Sequence, residues 1–90
     1  LVLGNTMIMK PSELVPLSVG RMAELLKEAG LPDGVFNVVH GGREIVEAIC
    51  AHRNIEAVSF VGSTKVAKLV YRAATHHLKR CIALGGAKNH

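Results

Sequence analysis

The sequence has few of the features that mark several large classes of protein. It contains no tryptophan, one tyrosine and two phenylalanines among 90 residues. No apolar run approaches the roughly 20 residues that cross a bilayer, and the first residues have neither the basic nor the apolar region of a signal peptide. We therefore expect no membrane partner. Hydrophobic residues make up 49% of the chain, which is too many for a disordered segment.

Metal-binding and redox motifs are also missing. The two cysteines, Cys50 and Cys81, match no metal or redox spacing and are interpreted as reduced, small core residues. The histidines show no ligand spacing either, so the sequence predicts no metal site. The chain has no initiating methionine, starts inside an apolar segment and stops without a helix end, so we expect it to be an excerpt of a longer protein.

The formal net charge is +4, and a basic balance can indicate nucleic-acid binding. Most basic residues are scattered, but Lys65, Lys68 and Arg72 share one face of a predicted helix. The aromatic residues do not interleave with these charges. A solvated helix face is therefore favoured over a nucleic-acid interface, which stays open as an alternative.

Hydrophobic periodicity predicts the element order β-α-β-α-β-α-β. Short apolar runs predict strands over residues 7–9, 35–39, 57–61 and 80–84. Helical spacing predicts helices over 17–29, 43–51 and from Ser63 or Thr64 to about His76. Single helices between apolar strands call for a parallel sheet, and apolar residues at nearly every strand position indicate helices on both faces. We predict one three-layer α/β unit.

Three strand ends are candidate parts of a nucleotide site, because ligands bind beyond the carboxyl ends of parallel strands. In Lys10-Pro11-Ser12-Glu13, an ammonium donor and a carboxylate acceptor can both reach ribose hydroxyls. A surface loop with an incidental ion pair is the alternative. In His40-Gly41-Gly42, paired glycines allow close approach of a ring or a phosphate. A plain strand-to-helix turn is the alternative there.

The third strand end is Gly62-Ser63-Thr64, at the start of a helix. Unpaired N–H groups and the positive end of the helix dipole favour an anion, and Ser63 adds a hydroxyl. An ordinary serine or threonine cap is the alternative, and both interpretations are compatible. The Gly-x-Gly-x-x-Gly fingerprint and the Walker-type phosphate loop are absent.

Taken together and in this order, the blocks resemble the coenzyme-binding domain of aldehyde dehydrogenases. The resemblance is carried by Gly4-Asn5-Thr6, Lys10-Pro11-Ser12-Glu13, the run from Lys27 to Val39 and the run from Ser59 to Thr64. It covers the whole chain but a minor part of the family's length. It implies that residues 1–90 are a partial NAD-binding domain with a Rossmann-like parallel sheet flanked by helices.

The resemblance also implies roles for individual residues. Lys10 and Glu13 would bind the adenosine ribose, with Ser12 between them as a further coenzyme-binding residue. A carboxylate beside the ribose repels an added 2′-phosphate, which favours NAD over NADP. Gly41 and Gly42 would lie near the adenine.

At the third strand end, the resemblance places Gly62 and Ser63 against the pyrophosphate, with Phe60 supporting the turn. Neither cysteine matches the family's nucleophile, which lies downstream of His90. We therefore expect no catalytic residue, and no dehydrogenase activity, in this stretch alone.

The end of the chain points to one branch of the family. Hydrolytic aldehyde dehydrogenases have Glu-Leu-Gly-Gly here, and the glutamate activates water, whereas this chain has Ala83 followed by Leu84-Gly85-Gly86. The run from Gly86 to His90 is similar to methylmalonate-semialdehyde dehydrogenases, which transfer the acyl group to CoA. Hydrolysis of the thioester intermediate needs a general base, whereas the CoA thiol is itself a good nucleophile.

The sequence therefore predicts part of an NAD-dependent, CoA-acylating semialdehyde dehydrogenase with a small aldehyde substrate, CoA as co-substrate and a homo-oligomeric assembly. The expected compartment is the bacterial cytoplasm or the mitochondrial matrix. The alternatives are a hydrolytic aldehyde dehydrogenase with an unusual residue at Ala83, a non-catalytic nucleotide-binding module and a nucleic-acid binder.

Overall fold

The computed structural model describes residues 1–86 and has the predicted order of elements. The end of the Gly86–His90 run, residues 87–90, lies outside the described residues. The predicted α/β class is confirmed, and every predicted boundary agrees within one residue. The elements are β1 (Met7–Met9), α1 (Pro16–Glu28), β2 (Phe36–Val38), α2 (Arg43–Ala51), β3 (Ala57–Gly62), α3 (Thr64–His76) and β4 (Arg80–Gly85).

The strands form two pairs rather than the expected single sheet. β1 pairs with β2 and β3 pairs with β4, both in parallel. The chain accordingly divides into two compact units, residues 1–42 and residues 43–90. The prediction of one continuous sheet over the described residues was wrong, because neighbouring strands of an α/β sheet need not be consecutive in sequence. Periodicity identifies strands but not their neighbours.

The first unit, residues 1–42, is built around a short strand pair and one helix. Met7 is in register with Phe36, and Met9 with Val38. Helix α1 has Pro16 in its first turn and no side-chain cap at Val15. After α1, Gly30 has a φ of +100°, a conformation that glycine adopts without a steric penalty. No residue of α1 is fully buried, so this unit has little core of its own.

The second unit contains the hydrophobic core of the described chain. Six residue pairs join β3 and β4, from Ala57 with Arg80 to Gly62 with Gly85. The centre of the core is formed by Cys50 of α2 with Val70 and Ala74 of α3, all less than 4% exposed. Parts of both strands pack around this centre.

Burial along β3 alternates strictly between exposed and half-buried positions. The inward face packs on the core through Val58 and Phe60. On the outward face, Val61 and Ile82 are each 62% exposed. The sequence predicted helices on both faces of the sheet. Within residues 43–86 only one face is covered, because α2 and α3 pack on the side toward which Val58 and Phe60 point.

The three helices are short and have polar faces. Between residues 1 and 86, no helix has the length and hydropathy to cross a membrane. On α3, Lys65, Lys68 and Arg72 are all exposed. This agrees with a solvated helix face.

Candidate functional site

The loop after β1 carries the first group of predicted site residues. The Lys10 ammonium donates a hydrogen bond to the Pro11 carbonyl over 2.9 Å. Ser12 uses its hydroxyl to accept from the Leu14 N–H at 3.3 Å, and Glu13 is exposed. The lysine retains two further N–H donors, because an ammonium has three. The loop thus carries an ammonium donor and an exposed carboxylate.

An open cleft of about 700 Å³ lies in the first unit, between this loop, helix α1 and the turn after β2. Glu13 and Gly41, which were predicted from separate motifs, both line it. Lys10, Ser12 and Gly42 are not among its lining residues. The full lining is Pro11, Glu13, Pro16, Leu17, Gly20, Arg21, Glu24, His40 and Gly41.

Gly41 has a conformation that explains the residue type at the turn after β2. Its φ is +149°, in a region that essentially only glycine visits. The backbone can therefore turn here while leaving the cleft wall free of a side chain. His40 beside it is exposed and also lines the cleft.

The turn after β3 forms the second group. Ser63 is the N-cap of α3, and its hydroxyl accepts from the Val66 N–H at 3.4 Å. Thr64 is the first helical residue, so of the two expected caps the structure selects Ser63. The first N–H groups of a helix have no partner within the helix, which makes this end suitable for an anion.

Close packing holds this turn in place. A Cβ on Gly62 would lie 2.6 Å from the Phe60 ring, and a Cβ on Gly85 would lie 2.8 Å from the Thr64 Cα. The Gly86 N–H donates to the Gly62 carbonyl at 3.0 Å. The two adjacent strands therefore end in glycines that allow an aromatic ring and a helix start to approach their backbones.

Ala83 lies two residues before the end of β4, in register with Phe60. With Thr64, Lys68, Tyr71 and other residues it lines a small cavity of about 250 Å³. Residues 57–90 contain no aspartate or glutamate. In the predicted alignment with the family, the position of the general base thus has a methyl group.

The structure brings predicted residues together within each unit. Glu13 and Gly41 share the cleft of the first unit, and Gly62 and Ser63 form the helix-start turn of the second. Lys10 and Ser12 lie in the same loop as Glu13. A single dinucleotide that bridges both groups stays a prediction.

The two cysteines behave as core residues. Cys50 is 1% exposed, and Cys81 packs against the same core. Burial raises the pKa of the Cys50 thiol, the nearby Cys81 raises it further, and Lys79 acts in the opposite direction. Burial also raises the pKa of the Cys81 thiol. A nucleophilic cysteine needs a lowered pKa and access to substrate, so neither residue is suited to that role. Between residues 1 and 86 no group of side chains could hold a metal ion.

Sequence analysis missed Lys79, which is 92% buried and structurally important. Its ammonium donates to the carbonyls of His52 and Ile55, in the segment between α2 and β3. These carbonyls follow the C-terminus of α2, where a cation is favourable. No local pattern could have revealed this role, because the partners lie 24 and 27 residues away in sequence.

Comparison with known proteins places the chain in a family. The model of the aldehyde dehydrogenase family matches residues 1–90. A malonate-semialdehyde dehydrogenase of Oceanobacillus iheyensis is 58% identical over 87 residues, which is 97% of this chain and 18% of the relative. The chain belongs to the aldehyde dehydrogenase family. It spans about a fifth of the length of the relatives it matches.

Solved structures support the same assignment. A methylmalonate-semialdehyde dehydrogenase from Oceanimonas doudoroffii is 56% identical, with a TM-score of 0.93 over 99% of this chain and 18% of its own. A putative methylmalonate-semialdehyde dehydrogenase from Sinorhizobium meliloti, solved with NAD, is 54% identical, with a TM-score of 0.91. That match covers 97% of this chain and 18% of the Sinorhizobium chain.

Proposed function

We propose that this chain is the partial coenzyme-binding domain of an NAD-dependent, CoA-acylating malonate- or methylmalonate-semialdehyde dehydrogenase. The proposal is carried by one observation: the aldehyde dehydrogenase match over residues 1–90 is combined with Ala83 where a hydrolytic member needs a carboxylate. The relatives named for malonate or methylmalonate semialdehyde, at 54–58% identity, support this choice of branch.

The described residues fit NAD. In the first unit, the Glu13 carboxylate can accept hydrogen bonds from ribose hydroxyls, and Gly41 leaves the cleft wall without a side chain. In the second unit, the start of α3 offers N–H groups to a diphosphate, with the Ser63 hydroxyl beside them. NAD, when bound, accepts a hydride from the substrate. This chain's residues bind and orient it, and the catalytic cysteine is supplied by another part of the enzyme.

The absence of a carboxylate at Ala83 in β4 bears on how the acyl group is released. An enzyme thioester is split by water only slowly unless a base removes the water proton. A CoA thiol is more acidic than water and a stronger nucleophile, so it needs less help. With Ala83 at this position, acyl transfer to CoA is favoured over release of a carboxylic acid.

The full-length enzyme tests this proposal. Malonate or methylmalonate semialdehyde with NAD should give sustained NADH formation only when CoA is present. Ala83→Glu should raise CoA-independent turnover, and Ala83→Gln, of similar size but unable to act as a base, should not. Equal rates with and without CoA in the unmodified enzyme would favour the hydrolytic alternative, and no NADH with any aldehyde would favour the non-catalytic module.

The coenzyme residues can be tested separately. Glu13→Gln and Lys10→Met should each weaken NAD binding by about 1–2 kcal/mol, as expected for hydrogen bonds to charged groups. Glu56→Gln, at the opposite end of β3 from Ser63, is the control of matched charge. Unchanged NAD affinity in both site variants would contradict the ribose assignment.

Assembly and compartment complete the proposal. We propose a homo-oligomeric enzyme in the bacterial cytoplasm, since the relatives named above come from bacteria. Mass measurement of the full-length enzyme in solution checks the oligomeric state.

A DNA-binding role for the exposed basic face of α3 would require salt-sensitive binding that is lost in Lys65→Gln and Lys68→Gln.

A further inference from the structure

The cleft of the first unit contains charged groups besides Glu13. Arg21 and Glu24 of α1 also line it. Arg21 is the one lysine or arginine among the described residues of this lining. The balance of charge in the cleft therefore depends on how Arg21 is held.

Arg21 is held by carboxylates of its own helix. Its guanidinium lies 3.0 Å from the Glu24 carboxylate and 3.9 Å from the Glu28 carboxylate. Both pairs are exposed, with side chains 60% and 68% accessible, so they add little to stability. The two ion pairs instead affect where Arg21 lies and the charge that it presents. The carboxylates hold the guanidinium along the helix and neutralise its charge.

The helix also leaves space beside this arginine. Gly20 lines the cleft in the middle of α1, where glycine costs about 0.5–1 kcal/mol relative to alanine. A Cβ at Gly20 would meet nothing within 4 Å, so packing within the described residues does not require a glycine. The missing side chain keeps open the part of the cleft next to Arg21.

We propose that Glu24 is a specificity residue that keeps Arg21 from binding a phosphate on the coenzyme ribose. The inference rests on the proposed NAD site and deepens it, because it assigns discrimination against NADP to the Arg21–Glu24 pair as well as to Glu13. With Glu24 in place, the cleft presents an unpaired Glu13 carboxylate and a neutralised arginine. Without Glu24, the guanidinium keeps only the longer 3.9 Å pair with Glu28, and its planar donors can turn to a phosphate.

The size of the effect follows from Coulomb's law. One unit charge about 6 Å away in a water-like medium changes the energy of a phosphate charge by about 0.7 kcal/mol, or about threefold in affinity. Loss of the Glu24 charge and release of the Arg21 guanidinium act in the same direction. Together they should change the ratio of NADP to NAD affinity by about three- to tenfold.

The experiment uses the full-length enzyme and measures Kd for NAD and for NADP by calorimetry. Glu24→Gln should raise NADP affinity about three- to tenfold while NAD affinity changes by less than about twofold. Adding Arg21→Gln to Glu24→Gln should remove the gain. Arg21→Gln alone should weaken NADP further, because Glu24 then has no partner.

Glu56→Gln controls for the loss of one negative charge and should leave the ratio unchanged. All of these side chains are exposed, so unfolding midpoints should match the unmodified enzyme. An unchanged ratio in Glu24→Gln, or a gain that survives loss of Arg21, overturns the proposal while NAD binding itself persists. Absence of binding to either coenzyme in the unmodified enzyme overturns the proposed function and this inference together.

Discussion

The two units of this chain differ in content: residues 43–86 contain the hydrophobic core, whereas residues 1–42 contain the cleft with charged side chains. Residues 43–86 have six-residue strands, a buried core around Cys50, Val70 and Ala74, and a buried lysine. Residues 1–42 have three-residue strands and a helix with no buried residue, and they contain the cleft with its charged lining. Local opening follows the amount of buried apolar contact, so the first unit should open more readily than the second.

The largest effect on this comparison is expected at Lys79. Lys79→Met keeps the apolar stem but leaves the carbonyls of His52 and Ile55 without their donor. Both hydrogen bonds are only partly buried, so each is expected to contribute about 1–2 kcal/mol, and the second unit should lose about 2–4 kcal/mol. Native-state hydrogen exchange of the full-length protein, measured at the amides of residues 43–86, checks this.

The matched control is Lys68→Met, the same substitution at an exposed position of α3. It should change the free energy of opening by less than about 0.5 kcal/mol. Residues 1–42 serve as an internal reference in both variants. Equal exchange rates in the Lys79 and Lys68 variants would contradict the role given to the buried ammonium.

The next effect is expected at Gly85, where β4 meets the start of α3. A Cβ there would lie 2.8 Å from the Thr64 Cα, a main-chain atom that cannot rotate away. Gly85→Ala should therefore destabilise the second unit by about 1–3 kcal/mol, the usual cost of overpacking. Urea unfolding of the full-length protein measures it, and a midpoint equal to that of the unmodified protein would show that this approach is not tight.

Local features of this fold could be predicted from the sequence, whereas strand pairing and the contacts of Lys79 could not. The strand ends and the Ser63 cap are local features, and periodicity and turn chemistry predicted them. The pairing of strands into two sheets and the contact of Lys79 with residues 24 and 27 positions away depend on tertiary structure. Local pattern contains no information about such partners.

The candidate site divides in the same way. Glu13 and Gly41 were recognised from separate motifs, and the fold places both in one cleft. Arg21 and Glu24 lie on the exposed, polar face of α1, and helical periodicity can identify such a face. That this face also lines the cleft could not be read from the helix alone, because the opposite wall, His40 and Gly41, comes from the turn after β2.

The two cysteines should make the stability of the second unit depend on pH, because only that unit contains thiols. Burial raises the pKa of the Cys50 thiol above its ordinary value of 9.0. The neutral thiol is therefore favoured in the folded state. The resulting stability is fully present below about pH 9 and is lost as the pH rises through the folded-state value.

The expected outcome is that amides of residues 43–86 keep their protection up to about pH 9 and lose it as the pH rises further, after correction for intrinsic exchange. Cys50→Ala should flatten this profile even though it lowers stability at pH 8, and Cys81→Ala should flatten it less. A profile of equal slope in Cys50→Ala and the unmodified protein would exclude the thiol as the cause.

The smallest effect is expected at Gly20, and it has the opposite sign. Gly20→Ala should stabilise α1 by about 0.5–1 kcal/mol, because alanine is the better helix former and its Cβ meets nothing within 4 Å. Exchange of the α1 amides should slow by about two- to fivefold, whereas exchange in residues 43–86 should stay unchanged. If α1 instead becomes less protected, the space beside Gly20 is filled by another part of the enzyme. In that case the glycine serves packing rather than the cleft.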